Sequence, residues 1–526
     1  MGQSMKDHFE VYEKTFKRLK GDLRFSRLGR TFQTPDHLYF YDTGTGKVFE
    51  INKITKDILD TLIRTDQFSE LFQLPYKEKD MATSLHELSE CIKNENILQA
   101  PELITMCGPQ TDQLENRLQG HRNQITLELT EQCNYRCKYC IYQSEEVGFR
   151  TFGTRHMSFE TAKAALDEFM HNSEKQVYVS FYGGEPLLRF DFIKQCISYL
   201  AESYSDKEIT YVMTTNGSLI TEEIAAYFAR LKNVYLTISL DGPESIHDQY
   251  RVFPNGSGTF SVTMRGLRLL SNAFGERTAE CLLINSVVSD YSPETLQKIY
   301  GFFDGLEWLP KNVSTTFSYV SKEKTQASYE GVDSKRENEM RRYEQEHPGS
   351  FDPVSYLAGE RLMEKNADTN SQFGRDDLVK QLKVIHNRLL VNDPSKNSYT
   401  LNGCCTPGER RLYVTVEGKY MVCEKMGPSP FIGDVKNGLD LGAIKKYFVD
   451  EYIQNAKQYC RNCWAVNLCS ACYIDCYNKN GPEFSYRHPF CETNRLSLER
   501  ALSLYHEILE RNPSLVKKLN LSAELL

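Results

Sequence analysis

No stretch of this 526-residue sequence reaches about 18 consecutive apolar residues, so no helix is long and apolar enough to span a bilayer. The opening residues, Met1-Gly2-Gln3-Ser4-Met5-Lys6-Asp7, lack the apolar core of a secretory signal. A basic surplus is missing too. The formal net charge is −8, which argues against nucleic acid as the main partner, because phosphate binding needs a basic face. The expectation is a cytoplasmic protein with neither membrane nor nucleic acid as partner. Disorder is also excluded, since 40% of residues are hydrophobic and 25% charged. At roughly 100–200 residues per domain, the length predicts three or four domains.

Cysteine is abundant. Sixteen cysteines in a reducing compartment are poor candidates for disulfides. Three lie at 133–140 and nine between 404 and 491. Such clustering reads as metal or iron–sulfur ligation. Cys91, Cys107, Cys196 and Cys281 stand alone and read as small buried hydrophobes.

Residues 1–110 hold a hairpin signal, His37–Tyr41 and Lys47–Ile51 around a Thr- and Gly-rich turn. A helix follows with Ile54, Ile58, Leu59 and Leu62 on one face, then another over Leu85–Asn96. This predicts a small winged-helix-like module. From 120 to 322, strand-like runs at 124–130, 177–182, 209–215, 234–240, 281–288 and 314–320 alternate with helix-like stretches. That alternation means parallel strands joined by crossover helices, so the fold class is α/β, and six strands predict a partial (β/α)6 barrel. In parallel barrels the chemistry sits at the C-terminal strand ends. Cys133, Gly183-Gly184-Glu185, Thr215-Asn216-Gly217 and Asp241-Gly242 all fall there. Residues 323–400 form a charged bridging region without an assigned function, with Ser334–His347 reading as a solvated helix. Residues 401–526 hold the second cysteine field and a closing amphipathic helix over Asn494–Arg511.

In the first cluster, three residues separate Cys133 from Cys137 and two separate Cys137 from Cys140, with Tyr139 just before the last cysteine. Three thiolates on one loop can hold three irons of a 4Fe-4S cube and leave the fourth iron open. A zinc loop completed by His156 is the alternative chemistry. The cysteine pattern, its aromatic and its place after the first barrel strand resemble the radical SAM superfamily. The resemblance implies that S-adenosyl-L-methionine (SAM) chelates the open iron and is cleaved reductively to methionine and a 5′-deoxyadenosyl radical. It also implies that Gly183-Gly184-Glu185 is the motif that takes the SAM amino group. Ser239 suits ribose hydroxyls and Arg251 suits a carboxylate. Asn216 and Tyr139 complete the implied SAM contacts. A reducing donor such as flavodoxin or ferredoxin is implied as a partner. No catalytic acid or base stands out.

In the second field, Cys405 is followed by Gly418 and Cys423, then Cys460, Cys463 and Cys469, then Cys472, Cys476 and Cys491. This resembles the SPASM domain, which implies two auxiliary 4Fe-4S clusters and three clusters in all. The family's interleaved ligation implies an outer cluster on Cys460, Cys463, Cys469 and Cys491. It implies an inner cluster on Cys405 and Cys423, with Cys472 or Cys476, and with Cys404 as a further candidate. Only two residues separate Cys469 from Cys472, where the family usually has three, so the choice stays open. Zinc ribbons are the alternative.

SPASM enzymes mostly act on peptides, and the N-terminal module resembles domains that capture a leader peptide by strand addition. The expected activity is maturation of a ribosomally made precursor peptide with a leader and a cysteine-containing core. Hydrogen abstraction would be followed by a Cys thioether crosslink of sactipeptide or ranthipeptide type. Formylglycine formation as in anaerobic sulfatase maturases, carbon–carbon crosslinking or epimerisation are other enzymatic readings. A zinc-binding peptide adaptor is the non-enzymatic one.

Overall fold

The computed structural model describes residues 3–143, 150–290, 292–319, 334–348, 353–363, 375–394, 398–400, 404–472, 474 and 476–521. Of the expected bridging region, 323–333, 349–352, 364–374 and 395–397 lie outside the described residues.

The N-terminal region builds an antiparallel sheet of β1 (Gly29–Gln33), β2 (Leu38–Asp42) and β3 (Val48–Glu50), in that order. The two later strands lie in the expected hairpin. The first has buried Arg30 and Thr31 in place of apolar residues, which hid it from hydrophobic patterning. Phe40 packs with Ile58, Leu59 and Leu62 of helix Lys53–Thr65 and with Leu85 of helix Glu78–Glu95. Phe32 and Tyr41 belong to a separate core with Trp464 and with Leu498, Leu502 and Tyr505 of the closing helix, His488–Arg511. A short strand, β4 (Thr105–Cys107), leads out of this region.

The central strands are β5 (Arg122–Glu128), β6 (Ser173–Tyr182), β7 (Glu208–Thr215), β8 (Val234–Ser239), β9 (Leu282–Val288) and β10 (Ser314–Tyr319). They lie side by side in chain order, every neighbouring pair parallel. This is the expected six-strand α/β arrangement. Alternation causes it: Ile125, Leu127, Val179, Phe181, Met213, Leu236, Ile238, Leu282 and Ile284 are at most 1% exposed and form one face of the core. Crossover helices start where sequence chemistry permits. The hydroxyls of Ser158, Thr221 and Ser292 accept from the N–H of Thr161, Ile224 and Thr295 at 3.1, 3.2 and 3.3 Å.

The C-terminal region extends this same sheet. After β11 (Ser398–Thr400), which pairs with β4, strand β12 (Leu412–Val414) lies parallel to β5 on its free side. Then β13 (Lys419–Met421), β14 (Gly433–Asp434) and β15 (Gly438–Leu439) continue antiparallel, giving ten strands. Strands of two or three residues carry no periodic signature in sequence. At the opposite edge, helix Arg375–His386 meets β10: Asp377 Oδ2 accepts the Phe317 N–H at 3.3 Å, and the Ser314 hydroxyl donates to Asp376. The bridging region therefore covers a sheet edge. The charge-dense helix Ser334–Glu346 is largely exposed where its side chains are described. Among the described residues no helix is long and apolar enough to cross a membrane.

Candidate active site

Cys133, Cys137 and Cys140 sit on the loop leaving β5. Its backbone is pinned to the segment after β8: Arg136 N–H donates to Val252 O at 2.7 Å, and Lys138 N–H to Tyr250 O at 2.9 Å. Cys133 Sγ accepts the Tyr135 N–H at 3.4 Å, and Cys137 Sγ lies 3.9 Å from Arg251 Nη1. Burial pushes the Cys133 thiol up to about 12 and Cys137 up to about 11, and the charge of neighbouring cysteines adds to both shifts. Burial raises Cys140 as well. Thiolates here need a bound metal to stabilise them. His156 forms an isolated antiparallel bridge to Thr130, and burial followed by the charge of Arg189 lowers its pKa.

Gly183 and Gly184 press the end of β6 against this loop. Gly183 has φ +134°, and a Cβ on Gly184 would stand 2.2 Å from Gln132 O. The close approach delivers Glu185, which is 1% exposed. Its Oε1 accepts from Leu187 N–H at 3.0 Å and the Thr215 hydroxyl at 2.7 Å, and its Oε2 from Asn216 N–H at 2.9 Å. No cationic side chain pairs with it among the described residues, and burial lifts its pKa to about 7 despite three donors. A buried carboxylate held open in this way fits a cationic amine.

The other expected SAM residues have structural partners here. Asn216 donates to Asn134 Oδ1 at 2.9 Å and accepts from Ser218 N–H at 2.9 Å, bracing the cysteine loop. Arg251 pairs with Asp241, Nε to Oδ2 at 3.0 Å, and the Tyr139 hydroxyl donates to the same carboxylate oxygen. Asp241 lies two residues beyond Ser239, the last residue of β8, at a strand end that the sequence marks for chemistry, but its pairing with Arg251 carries no signal in the sequence. Ser239 lies opposite Asn285 on β9 and is 8% exposed. Both belong to the strand face opposite the apolar one, with Thr214, Thr237, Thr316 and Ser318. This polar face is partly open to solvent. Glu128, an acid on this face, is spent: Oε1 accepts from Tyr142 at 2.5 Å and Oε2 from Val416 N–H at 3.1 Å.

In the second field, burial pushes Cys423 up to about 12, with smaller charge effects from Glu424 and Cys472. Cys404 is buried, 3.3 Å from Tyr452 Oη and 3.9 Å from Ala471 O. Cys476 is fully buried in the same core. Cys405 Sγ is 3.9 Å from Arg410 Nη1. Cys463 N–H closes a turn on Cys460 O at 3.0 Å, Cys469 Sγ accepts from Ala471 N–H at 3.4 Å, and Cys491 lies in the closing helix. The isolated Cys196 and Cys281 are buried, whereas Cys91 and Cys107 are half-buried.

Among the described residues no three His, Cys, Asp or Glu side chains are gathered at metal-holding distance. The donor chemistry of the first loop nevertheless fits a cluster with SAM: three thiols on one pinned loop, and a cation-lacking carboxylate a strand end away.

Residues 127–302 match the Radical SAM superfamily. An uncharacterised protein, MJ0907, of Methanocaldococcus jannaschii is 34% identical over 148 residues, 28% of this chain and 48% of its own length. The chain thus spans about half of that relative. The cysteine-type anaerobic sulfatase-maturating enzyme of Clostridium novyi (strain NT) is 25% identical over 391 residues, 70% of this chain and 92% of that protein. The solved structure of native anSMEcpe with bound AdoMet and the Kp18Cys peptide superposes with TM-score 0.52 at 19% identity, over 74% of this chain and all of that one. It shares the fold. The chain therefore carries a radical SAM domain homologous to anaerobic sulfatase maturases.

Proposed function

We propose that this radical SAM domain belongs to a peptide maturase that installs a Cys thioether in a ribosomally made precursor. The observation that carries the radical reading is Glu185, a buried carboxylate with three donors and no cation, delivered against the cysteine loop by two glycines. In this reading Cys133, Cys137 and Cys140 hold the first 4Fe-4S cluster, Glu185 takes the SAM amino group, and Ser239 takes a ribose hydroxyl. When bound, the cluster and SAM supply the one-electron chemistry that opens a substrate C–H bond. The hydroxyl-rich face of β7 to β10 orients an uncharged peptide segment beside it. Cys405 and Cys423, with Cys472 or Cys476, are the proposed inner auxiliary ligands, and Cys460, Cys463, Cys469 and Cys491 the outer ones. Cys404 is a further inner candidate. In the N-terminal sheet β3 is an edge strand, which supports leader capture by strand addition.

A second reading, oxidation of a substrate Cys to formylglycine, is favoured by the likeness covering 92% of the Clostridium novyi enzyme. One experiment separates them. Anaerobically reconstituted protein should hold roughly twelve irons if three four-iron clusters are filled, and it should form 5′-deoxyadenosine, with Cys137→Ala inactive. Mass spectrometry of a Cys-containing precursor then decides. Loss of two hydrogens with the sulfur retained supports the thioether, whereas loss of two hydrogens together with exchange of sulfur for oxygen supports formylglycine. Zinc without SAM cleavage would make the chain a binding protein.

A further inference from the structure

Beneath the cysteine loop lies a buried ion pair that the roles above do not use. Asp241 is 2% exposed. Its Oδ1 accepts the Val287 N–H at 3.0 Å from β9, and its Oδ2 accepts from Tyr139 and meets Arg251 Nε at 3.0 Å. Arg251 in turn brings Nη1 to 3.9 Å from Cys137 Sγ and stacks its guanidinium 5.4 Å from the centre of the Tyr139 ring. One carboxylate thus joins a barrel strand, the aromatic of the cysteine loop and the arginine facing a cysteine sulfur. Residues beside Arg251 hold the loop backbone, through Val252 O and Tyr250 O. Separating a buried pair strands an uncompensated charge. Arg251 therefore stays with Asp241, and only its remaining N–H groups are left for a sulfur or a SAM carboxylate.

We propose that Asp241 is a positioning residue: it holds the Arg251 guanidinium against Cys137, and this ion pair sets the electrostatic field at the cluster borne by Cys133, Cys137 and Cys140. The inference rests on the cluster assignment proposed above. The test uses full-length protein loaded anaerobically, with Asp241→Asn, Arg251→Gln and the double variant. The readouts are iron content and the midpoint potential of the paramagnetic signal that changes when SAM is added, which isolates this cluster from any auxiliary one. Asp241→Asn leaves the guanidinium uncompensated and moves the potential upward. Arg251→Gln removes both the cation and the N–H facing sulfur and moves it downward. The double variant lies closer to the parent than either single one. If Asp241→Asn loses its iron, Arg251→Lys replaces it in the comparison and recovers part of the Arg251→Gln shift, because charge returns without the planar fork. Potentials that stay fixed, or move the same way in both single variants, overturn the inference. A parent protein with no SAM-sensitive signal overturns the cluster assignment instead.

Discussion

Glu185 and His247 are both buried ionisable groups near the cysteine loop, and their partners give opposite expectations. Glu185 has donors and no cation. Its role is therefore read through a ligand: Glu185→Gln removes the charge while keeping the size, and SAM affinity falls about 10- to 100-fold, as loss of a charge-assisted contact implies. Isothermal titration of SAM into the loaded protein checks this, and unchanged affinity would remove Glu185 from the site. His247 is satisfied as a neutral ring. Its Nδ1 accepts the Asp241 N–H at 3.3 Å, and its Nε2 faces the Thr259 hydroxyl at 3.1 Å, which itself donates to Arg251 O. Protonation would set two N–H groups against each other. Burial, then the charge of Arg251, lowers its pKa to about 3. Below about pH 6.5 the unfolded chain takes up a proton that the native state refuses. Stability then falls by about 1.4 kcal/mol per pH unit until the native pKa is reached. Urea unfolding at pH 7 and pH 5 measures this, and His247→Asn should flatten the difference.

At the scale of elements, the six central strands were legible because apolar strand-like runs alternate with helix-like stretches, and their C-terminal ends located the chemistry. The cysteine loop and the Gly183-Gly184-Glu185 turn were legible as motifs. Asp241-Gly242 was legible as a strand-end position, but the pairing of Asp241 with Arg251 was not, because an Asp-Gly after a strand reads in sequence as a plain turn. β1 was hidden by its buried Arg30 and Thr31, and β12 by its length of three residues. Asn216 and Arg251, which the family resemblance implies as SAM contacts, also brace the cysteine loop. The glycine turn makes a prediction at this scale. Gly184→Ala places a methyl 2.2 Å from Gln132 O, a backbone atom that cannot swing aside. The β6 end must retreat from the cysteine loop at a cost of roughly 1–3 kcal/mol. The expected outcome is native circular dichroism with iron lost on desalting. Iron retained at the parent level would mean that the turn and the loop are not coupled.

Across the whole molecule, the N-terminal sheet and the outer cysteine loop are one packed unit. The Thr43 hydroxyl, in the turn between β2 and β3, donates to Trp464 O at 2.9 Å, and Asn467 Nδ2 donates to Thr43 O at 2.8 Å. Trp464 lies between Cys463 and Cys469 in sequence, is 1% exposed, and meets the Tyr41 ring edge-on at 6.0 Å. The strands proposed to read a leader peptide therefore start one turn from the cysteines proposed to hold the outer cluster. Trp464→Ala should cost roughly 3–5 kcal/mol, the range for deleting a fully buried tryptophan. The loss should be shared. Amide exchange in β2 should accelerate, because Tyr41 loses its neighbour, and iron content should fall by the share of one cluster, because the 460–469 loop loses its anchor. Thr43→Val is the milder companion, removing one hydrogen bond while keeping the packing. Faster exchange in β2 with iron unchanged would show that the sheet rests on the loop without supporting it. Both losses together would make the N-terminal module part of the outer metal site's scaffold.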